Sequence, residues 1–334
     1  MRNKIYFRVD GDHGHKYGLG HIWRCLKLYN SLKKTMVPYD IIFLTKNTPE
    51  GIKTLKKEFA GKIIIYNKNN KKNLNLKSND ILIADTLGIE KDLLKLCLKK
   101  KLKKIVSFDE VSTKFFISGS IINGIFFSKK KLYTKLKNLK IFQHPKYIVL
   151  DKKFSQRKKF KKIKFNFNIL ITSGGSDKKE FLYKVCSQLR DVKNIKLTVI
   201  IGKGVKRNNP IFKFKRHRKI KLLSDTKDIY SNLKKSDIAI VSGGTVMFEA
   251  ISSGKITFVC QTYENQKYAI NYFRKKKIIN YLGKVQDIRK KNLRTLTSFK
   301  NIKKINTMLL FKKQISQIDG KGLLKVQKII QKYK

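Results

Sequence analysis

The chain has 334 residues with 41% hydrophobic and 11% aromatic side chains, which excludes a disordered polycation and predicts two globular domains. Its formal net charge of +57 comes from 79 Lys and Arg residues against 22 Asp and Glu residues, and only eleven of the 79 are Arg. Because nucleic-acid readers favour the guanidinium fork and a clustered basic footprint, we expect no specific nucleic-acid partner and at most weak contact with a membrane surface.

Short β-branched runs alternate with helical periodicity from the N-terminus, which is typical of a parallel sheet covered by helices on both faces. The basic run KKFSQRKKFKKIKF (152–165) predicts a linker between domains 1–153 and 166–334. In chain order, the first domain is predicted to contain the strands KIYFRV, YDIIFL, KIIIY, DILIAD, KKIVSFD and SIING, with helices over 21–34, 49–58 and 89–100.

The same alternation begins again after the linker. Both domains are therefore predicted to be Rossmann-like, because each places glycines between a strand and a helix, where ligands bind in open α/β sheets. The cleft between the domains is the expected active site. The second domain is predicted to contain the strands FNILIT, IKLTVII, KIKLL, DIAIVS and ITFVC, helices over 178–190, 227–234 and 245–253, and terminal helices from about residue 300.

The cysteines and the N-terminal sequence indicate the cellular compartment in which the protein is expected. Cys25, Cys97, Cys186 and Cys260 lie far apart in apolar segments without a CxxC pair, which predicts buried thiols in a reducing environment. No apolar signal region precedes the first strand, and no run approaches the length of a membrane span. We therefore expect a cytoplasmic protein.

The first glycine turn lies in DGDHGHKYGLGHIWRC, residues 10–25. Gly18 and Gly20 lead into a helix whose first turn carries His21, and the helix dipole there disfavours an imidazolium. A neutral His21 can accept a proton near pH 7, and Asp10 at the end of the first strand is the expected partner that orients its ring. The alternative is that His21 is only a polar residue of the first turn.

The same loop contains types of residue that ligate metals. His13 and His15 form an HxH pair, and Asp10 and Asp12 form a DxD pair. Because no partner ligands are identified elsewhere in the sequence, we predict neither a metal nor another cofactor, and His13 and His15 receive no role.

The second glycine turn is ITSGGSD, residues 171–177. Gly174 and Gly175 carry no side chain that would block the close approach of a diphosphate to the backbone, and Ser176 follows them at the helix start. The alternative is an ordinary tight turn.

The third glycine turn is VSGGTVMFEAISSG, residues 241–254. Gly243, Gly244 and Thr245 precede a helix whose N–H groups can hold a diphosphate. Glu249 lies one helical turn deeper, where its carboxylate can accept hydrogen bonds from ribose hydroxyls. The alternative is a surface glutamate favoured by the helix dipole.

The segment SGGTVMFEAISSGKITFVCQTYENQ resembles the nucleotide-sugar motif of the GT-B glycosyltransferases related to the murein lipid-linked N-acetylglucosaminyltransferase. That resemblance implies an α/β GT-B fold with two Rossmann-like domains facing across a cleft. It also implies that Gly243, Gly244 and Thr245 contact the diphosphate of UDP and that Glu249 contacts its ribose.

The segment FRVDGDHGHKYGLGHIWRCLKL looks more narrowly like the UDP-sugar hydrolase of the pseudaminic acid pathway and the related spore-coat polysaccharide biosynthesis proteins. This resemblance, which covers roughly residues 4–270, implies that His21 is the catalytic base and that Arg24 is the matching arginine of the G-x-G-H-x-x-R segment. Further similar segments are FDE at 108–110, IIN ending at Asn123, KYIVLDKKF from 146, ITSGGSD, and Glu264, Asn265 and Gln266, which match positions near the sugar.

One position departs from the hydrolases: Leu87, in ADTLG, stands where they carry a tyrosine. The first hypothesis is a hydrolase that cleaves the glycosidic C–O bond of a UDP-sugar. It would release UDP and a free acetamido-deoxy sugar, of the 2,4-diacetamido-2,4,6-trideoxy-altropyranose type, for nonulosonic acid or surface polysaccharide. The alternative is a GT-B glycosyltransferase with a polysaccharide or lipid-linked acceptor, and a third hypothesis is a noncatalytic basic nucleic-acid-binding protein.

Overall fold

The chain folds into two compact units, Met1–Asp151 with Lys321–Lys334, and Lys152–Gly320. We call them unit 1 and unit 2. None of the helices in the described part of the chain is long and apolar enough to cross a membrane. The structure, a computed structural model, describes residues 2–12, 19–67, 74–86, 90–108, 119–124, 139–224, 226 and 228–334.

Unit 1 contains a parallel sheet with the strand order β3-β2-β1-β4-β5-β6-β7. The strand order reverses between β1 and β4, which makes this the position where open α/β sheets bind ligands. The elements of unit 1 are β1 (Lys4–Val9), α1 (Gly20–Leu32), β2 (Asp40–Thr45), α2 (Pro49–Glu58), β3 (Lys62–Ile65), β4 (Ile81–Asp85), α3 (Lys91–Lys99), β5 (Ile105–Phe108), β6 (Gly119–Asn123), β7 (Leu139–Gln143), the 3₁₀ turn Pro145–Tyr147 and α11 (Gly322–Gln331).

The two faces of this sheet follow the alternation of side chains along each strand. In β1, Phe7 and Val9 pack in the apolar cluster that includes α1, whereas Tyr6 packs in the cluster that includes α3. In β4, Ile83 joins the α1 cluster and Leu82 joins the α3 cluster. Odd-numbered residues of both strands therefore face α1.

The last helix, α11, belongs to unit 1. Leu323 and Val326 are buried in the same cluster as the apolar face of α1, and the Tyr333 hydroxyl lies 2.7 Å from the Ser120 hydroxyl of β6. The sequence prediction of a single domain over 166–334 is therefore wrong for this helix. Its apolar stripe fits either domain in the sequence, and only the packing assigns it.

Unit 2 contains a second parallel sheet, with the strand order β10-β9-β8-β11-β12-β13 and a reversal between β8 and β11. The elements of unit 2 are β8 (Phe167–Thr172), α4 (Phe181–Leu189), β9 (Ile195–Ile201), β10 (Ile220–Ser224), α5 (Ile229–Lys235), β11 (Ile238–Ser242), α6 (Thr245–Ser252), β12 (Ile256–Gln261), α7 (Lys267–Lys275), β13 (Asn280–Lys284), α8 (Leu293–Leu296), α9 (Phe299–Lys303), α10 (Thr307–Gln317) and the 3₁₀ turns Lys152–Ser155, Lys178–Glu180, Pro210–Phe214, Glu264–Gln266 and Val285–Lys290.

The sequence did not predict β7 and β13, which are the last strands of the two sheets. Neither segment is a continuous buried run. The sequence of β7 is LKIFQ and that of β13 is NYLGK, in which Gly283 has a φ of +95°. An edge strand can be less buried than a central one, and β7 has no buried residue while β13 has one, so their apolar patterns are weak.

Candidate active site

The strand reversal in unit 1 brings two aspartates to the carboxyl ends of neighbouring strands. Val9, the last residue of β1, pairs with Asp85, the last residue of β4, and Asp10 follows directly. Asp10 and Asp85 are 2% and 0% exposed. A buried carboxylate needs hydrogen-bond donors around it, so the partners of each aspartate indicate its role.

Three nitrogen donors converge on the carboxylate of Asp85. Nδ1 of His21, in the first turn of α1, lies 2.6 Å from Oδ1 of Asp85. Arg24, one turn further along α1, donates from Nε to Oδ2 and from Nη2 to Oδ1, each at 2.6 Å. A carboxylate with this many charge-assisted hydrogen bonds holds both side chains in a fixed orientation.

The charge of Asp85 decides which nitrogen of His21 carries the proton. Burial by itself raises the pKa of Asp85, but the Arg24 guanidinium and the hydrogen bonds from Arg24 and His21 outweigh burial and hold that pKa well below its usual range. An ionised carboxylate only accepts hydrogen bonds, so Nδ1 of His21 donates to it. In the neutral ring the lone pair is then on Nε2, which is the nitrogen that can accept a proton.

Arg24 lies close to His21 without competing for its proton. Nη2 of Arg24 is 3.1 Å from Nδ1 of His21, but both atoms are donors and both donate to Asp85. The ring of Phe108 lies 5.0 Å from Cζ of Arg24. Sγ of Cys25 is 3.7 Å from Oδ2 of Asp85, and burial together with the Asp85 charge raises the pKa of this thiol well above its usual value. In this arrangement Nε2 of His21 can act as a base, and Asp85 orients the ring.

The prediction that Asp10 orients His21 is wrong. Asp10 accepts a hydrogen bond at 2.7 Å from Nη2 of Arg8 and one at 2.9 Å from the Lys46 backbone N–H. Arg8 is fully buried and also pairs with Glu90, the residue before α3. Asp10 follows the even-numbered residues of β1, which face α3, whereas His21 lies on α1 at the opposite face of the sheet.

The strand reversal in unit 2 brings two glycine turns together. The hydroxyl of Ser242, the last residue of β11, donates to the Ser173 carbonyl at 2.8 Å. Gly174 has a φ of +85°, a backbone conformation that favours glycine. The N–H of Gly204 donates to the carbonyl of Gly175 at 2.8 Å, so the turn is supported from the β9 side. A Cβ atom added at Gly175 would meet no atom within 4 Å, which leaves its backbone open to a ligand.

The helix after the third glycine turn is α6, which begins at Thr245 with Gly244 as its N-cap. A Cβ atom added at Gly243 would lie 2.6 Å from the Ile270 side chain, so this glycine is required by the packing of α7. Glu249 is 6% exposed, which excludes the alternative of a surface glutamate. Its buried carboxylate lies one turn inside a helix whose exposed first residue is Thr245.

The turn Glu264–Gln266 joins the two glycine turns. Oε1 of Gln266 accepts hydrogen bonds from the N–H groups of Thr262 and Tyr263, at 2.9 and 3.2 Å, so this side chain fixes the turn itself. The Tyr263 hydroxyl lies 3.0 Å from the Ser176 hydroxyl, which connects the turn to the loop after β8. Glu264 has a 71% exposed side chain and Asn265 is exposed, so both are accessible beside the glycines.

Several predicted residues lie outside the described part of the chain: Gly18, Leu87, His13, His15, and Asp109 and Glu110 of the FDE segment. Gly20 is described and is the first residue of α1, and a Cβ atom there would meet no atom within 4 Å. Within the described ranges, no three His, Cys, Asp or Glu side chains form a possible metal-binding group.

Asp85 and Tyr263 are the site residues that sequence reasoning missed. In DILIAD, Ile81, Ile83 and Asp85 share one face of the strand, and this alternation was available from the sequence. Tyr263 stands directly before the predicted ENQ positions, where its aromatic ring carried no signal of a contact with Ser176.

Each parallel sheet with this strand order is Rossmann-like, and solved structures of the GT-B fold superimpose on nearly the whole chain. MurG of Acinetobacter baumannii superimposes with a TM-score of 0.64 at 11% sequence identity, covering 98% of this chain and 99% of that one. UGT2 of Phytolacca americana, solved with UDP-2-fluoro-glucose and pterostilbene, superimposes with a TM-score of 0.59 at 10% identity, covering 98% and 99%. The predicted GT-B fold with two Rossmann-like domains is therefore confirmed.

Two curated proteins are similar in sequence. The spore coat polysaccharide biosynthesis protein SpsG of Bacillus subtilis is 27% identical over 345 residues, which cover 98% of each chain. The uncharacterized protein MJ1062 of Methanocaldococcus jannaschii is 31% identical over 290 residues. That match covers 82% of this chain but only 58% of the archaeal protein. No family model matches the chain.

Proposed function

We propose that the protein is a glycosyltransferase that moves a sugar from a UDP-sugar to a hydroxyl group of a polysaccharide or lipid-linked acceptor. The observation that carries the proposal is the hydrogen bond from Nδ1 of His21 to the buried Asp85, because it makes Nε2 of His21 a base. The GT-B fold and the similarity to a polysaccharide biosynthesis protein support a transferase.

Unit 2 is proposed to bind the nucleotide. Gly175 offers an open backbone, and the N-terminus of α6 offers N–H groups and the positive end of a helix dipole. Glu249 is proposed to accept hydrogen bonds from the ribose hydroxyls. The neighbour solved with UDP-2-fluoro-glucose supports a UDP-sugar as the donor. Further contacts to the donor are proposed for Gly174, Ser176, Gly243, Gly244, Thr245, Glu264, Asn265 and Gln266.

The proposed reaction is a single displacement at the sugar. Nε2 of His21 takes the proton of the acceptor hydroxyl while its oxygen forms a bond to C1 of the sugar. The bond between C1 and the diphosphate oxygen breaks, and UDP leaves with that electron pair. Asp85 remains ionised and stabilises the imidazolium that forms. The helix N-terminus stabilises the charge on the departing diphosphate.

A UDP-sugar hydrolase is the second candidate. It is favoured by the spacing of His21 and Arg24 on α1, since this segment resembles the hydrolase motif and both residues bind Asp85. The same base would deprotonate water instead of an acceptor hydroxyl. The products would be UDP and a free acetamido-deoxy sugar.

Product analysis distinguishes the two candidates. The purified protein is incubated with UDP-linked acetamido sugars, with and without membrane-extracted lipid-linked acceptors, and UDP and free sugar are measured. UDP release that requires an acceptor supports the transferase, whereas equal amounts of UDP and free sugar without one establish the hydrolase. His21→Ala is expected to lower turnover by about 10² to 10⁴ with unchanged UDP affinity, and His217→Ala is the matched control. Loss of UDP binding in His21→Ala would contradict the assigned role.

A further inference from the structure

One surface of unit 2 carries many more cations than carboxylates. Among the described contacts, Lys161 pairs with Asp237 at 3.0 Å and Arg294 pairs with Asp191 at 3.6 Å. Segments 156–166 and 292–318 together contain twelve Lys and Arg residues and no Asp or Glu. Aromatic pairs bring the segments together, because Phe160 packs on Phe311 and Phe165 packs on Phe299, with ring centroids 5.8 and 5.3 Å apart. We call these two segments the basic surface.

The basic surface also exposes apolar side chains. Phe165, Leu309, Met308 and Leu296 are 55%, 47%, 42% and 38% exposed, and they make up half of the eight large hydrophobic residues exposed in the described ranges. Three residues close to them in sequence anchor these segments, because Phe299, Ile305 and Leu310 pack against the core of unit 2. Exposed apolar groups beside a net excess of lysines form a surface suited to an apolar and anionic partner.

We propose that the basic surface docks the protein on an anionic membrane surface. Lysines near a bilayer are attracted to its negative surface potential, and apolar side chains enter the boundary between headgroups and acyl chains. Three of the four exposed apolar residues, two Leu and one Met, have no aromatic ring to stack on bases. Lysines also outnumber arginines ten to two, and both features favour a membrane over a single-stranded nucleic acid. This docking surface does not depend on the proposed transferase activity.

Co-sedimentation with vesicles tests the electrostatic part. The full-length protein is mixed with vesicles of phosphatidylcholine containing 30% phosphatidylglycerol, on the order of the anionic content of natural membranes. Replacement of Lys300, Lys303 and Lys312 by Gln is expected to weaken binding by about 100-fold, from about fivefold for each lysine. A control in which Lys56, Lys57 and Lys99 are replaced by Gln carries the same net charge and is expected to bind within about threefold of the unchanged protein. Equal losses in both variants would overturn the proposal.

A matched pair of leucines tests the apolar part. Leu309 on α10 is 47% exposed and Leu98 on α3 is 56% exposed, so a serine in either place removes a similar exposed group. Leu309→Ser is expected to weaken vesicle binding about tenfold and Leu98→Ser to leave it unchanged. Circular dichroism verifies that each variant is folded.

Binding to a labelled single-stranded RNA tests whether the basic surface instead binds a nucleic acid. The proposal predicts that Leu309→Ser leaves RNA binding unchanged while it weakens vesicle binding. If Leu309→Ser changes neither, and the lysine variant weakens RNA and vesicles equally, the surface is a general polyanion site and the membrane proposal is wrong.

Discussion

Replacement of Asp85 by asparagine exchanges one carboxylate oxygen for an NH₂ group at a position where three nitrogen donors converge. His21 and Arg24 both donate to Oδ1, and Arg24 also donates to Oδ2. If the amide oxygen takes the Oδ1 position, the new NH₂ group faces Nε of Arg24, which is another donor. If the amide is flipped, the NH₂ group faces Nδ1 of His21 and favours the ring tautomer whose proton is on Nε2.

Both orientations of the amide are expected to lower the stability of the protein, because each removes a contact of Asp85. One hydrogen bond to a charged group is lost and the Arg24 charge, which is 18% exposed, loses its counterion. We expect the free energy of unfolding to fall by about 2–3 kcal/mol, between the value of one charged hydrogen bond and that of a broken buried ion pair. We also expect kcat to fall by about 10² to 10⁴, because His21 loses the group that orients it and stabilises its protonated form.

The assay is UDP release at saturating donor and acceptor, with urea unfolding measured on the same preparations. Asp10→Asn is the matched control, because Asp10 is the partner of the buried Arg8 but does not contact His21. It is expected to lower stability similarly, whereas its kcat stays within about tenfold of the unchanged protein. If Asp10→Asn loses as much turnover as Asp85→Asn, or if Asp85→Asn retains full kcat, the assignment of Asp85 as the orienting group is refuted.

Three further predictions follow from unit 2. Gly175→Val is expected to leave the urea midpoint unchanged, because its Cβ meets no atom within 4 Å, while UDP affinity measured by calorimetry falls at least about tenfold; retained affinity would exclude Gly175 from the nucleotide site. Glu249→Gln is expected to raise the KM for the donor about tenfold without changing inhibition by pyrophosphate, which has no ribose, and equal changes in both would contradict a ribose contact. Burial lowers the pKa of Lys255 to about 8, so the unfolded chain binds more protons between about pH 8 and 10.5, and stability should rise with pH there. In urea unfolding, Lys255→Met should abolish the rise in stability with pH and increase the free energy of unfolding by up to about 3 kcal/mol at pH 7. An unchanged dependence of stability on pH would contradict the lowered pKa.

The central strands of both sheets were predictable because they are buried on two faces. In FNILIT and DIAIVS every residue except Asn168 is buried, and the structure places the two strands side by side at the middle of the second sheet. The edge strands β3 and β10 were predicted from the segments KIIIY and KIKLL, whereas β7 has no buried residue and β13 has one, and the sequence did not distinguish these two from loops. The unit to which α11 belongs was not predictable, because the apolar stripe of an amphipathic helix does not specify which core it packs against.

The choice between Asp10 and Asp85 shows what the sequence does and does not determine about the site. Asp10 lies near His21 in the chain, but a β-strand directs successive side chains to opposite faces, so proximity in sequence at a strand end is a poor guide to contact. Phe7 and Val9 carry the apolar face of β1 toward α1, and the next residue on that face would be Gly11, which has no side chain. The carboxylate that reaches His21 must therefore come from the neighbouring strand, where Asp85 continues the α1-facing series of β4. The required strand order and the face occupied by α1 are both properties of the folded sheet, which is why the type of base was predictable and its partner was not.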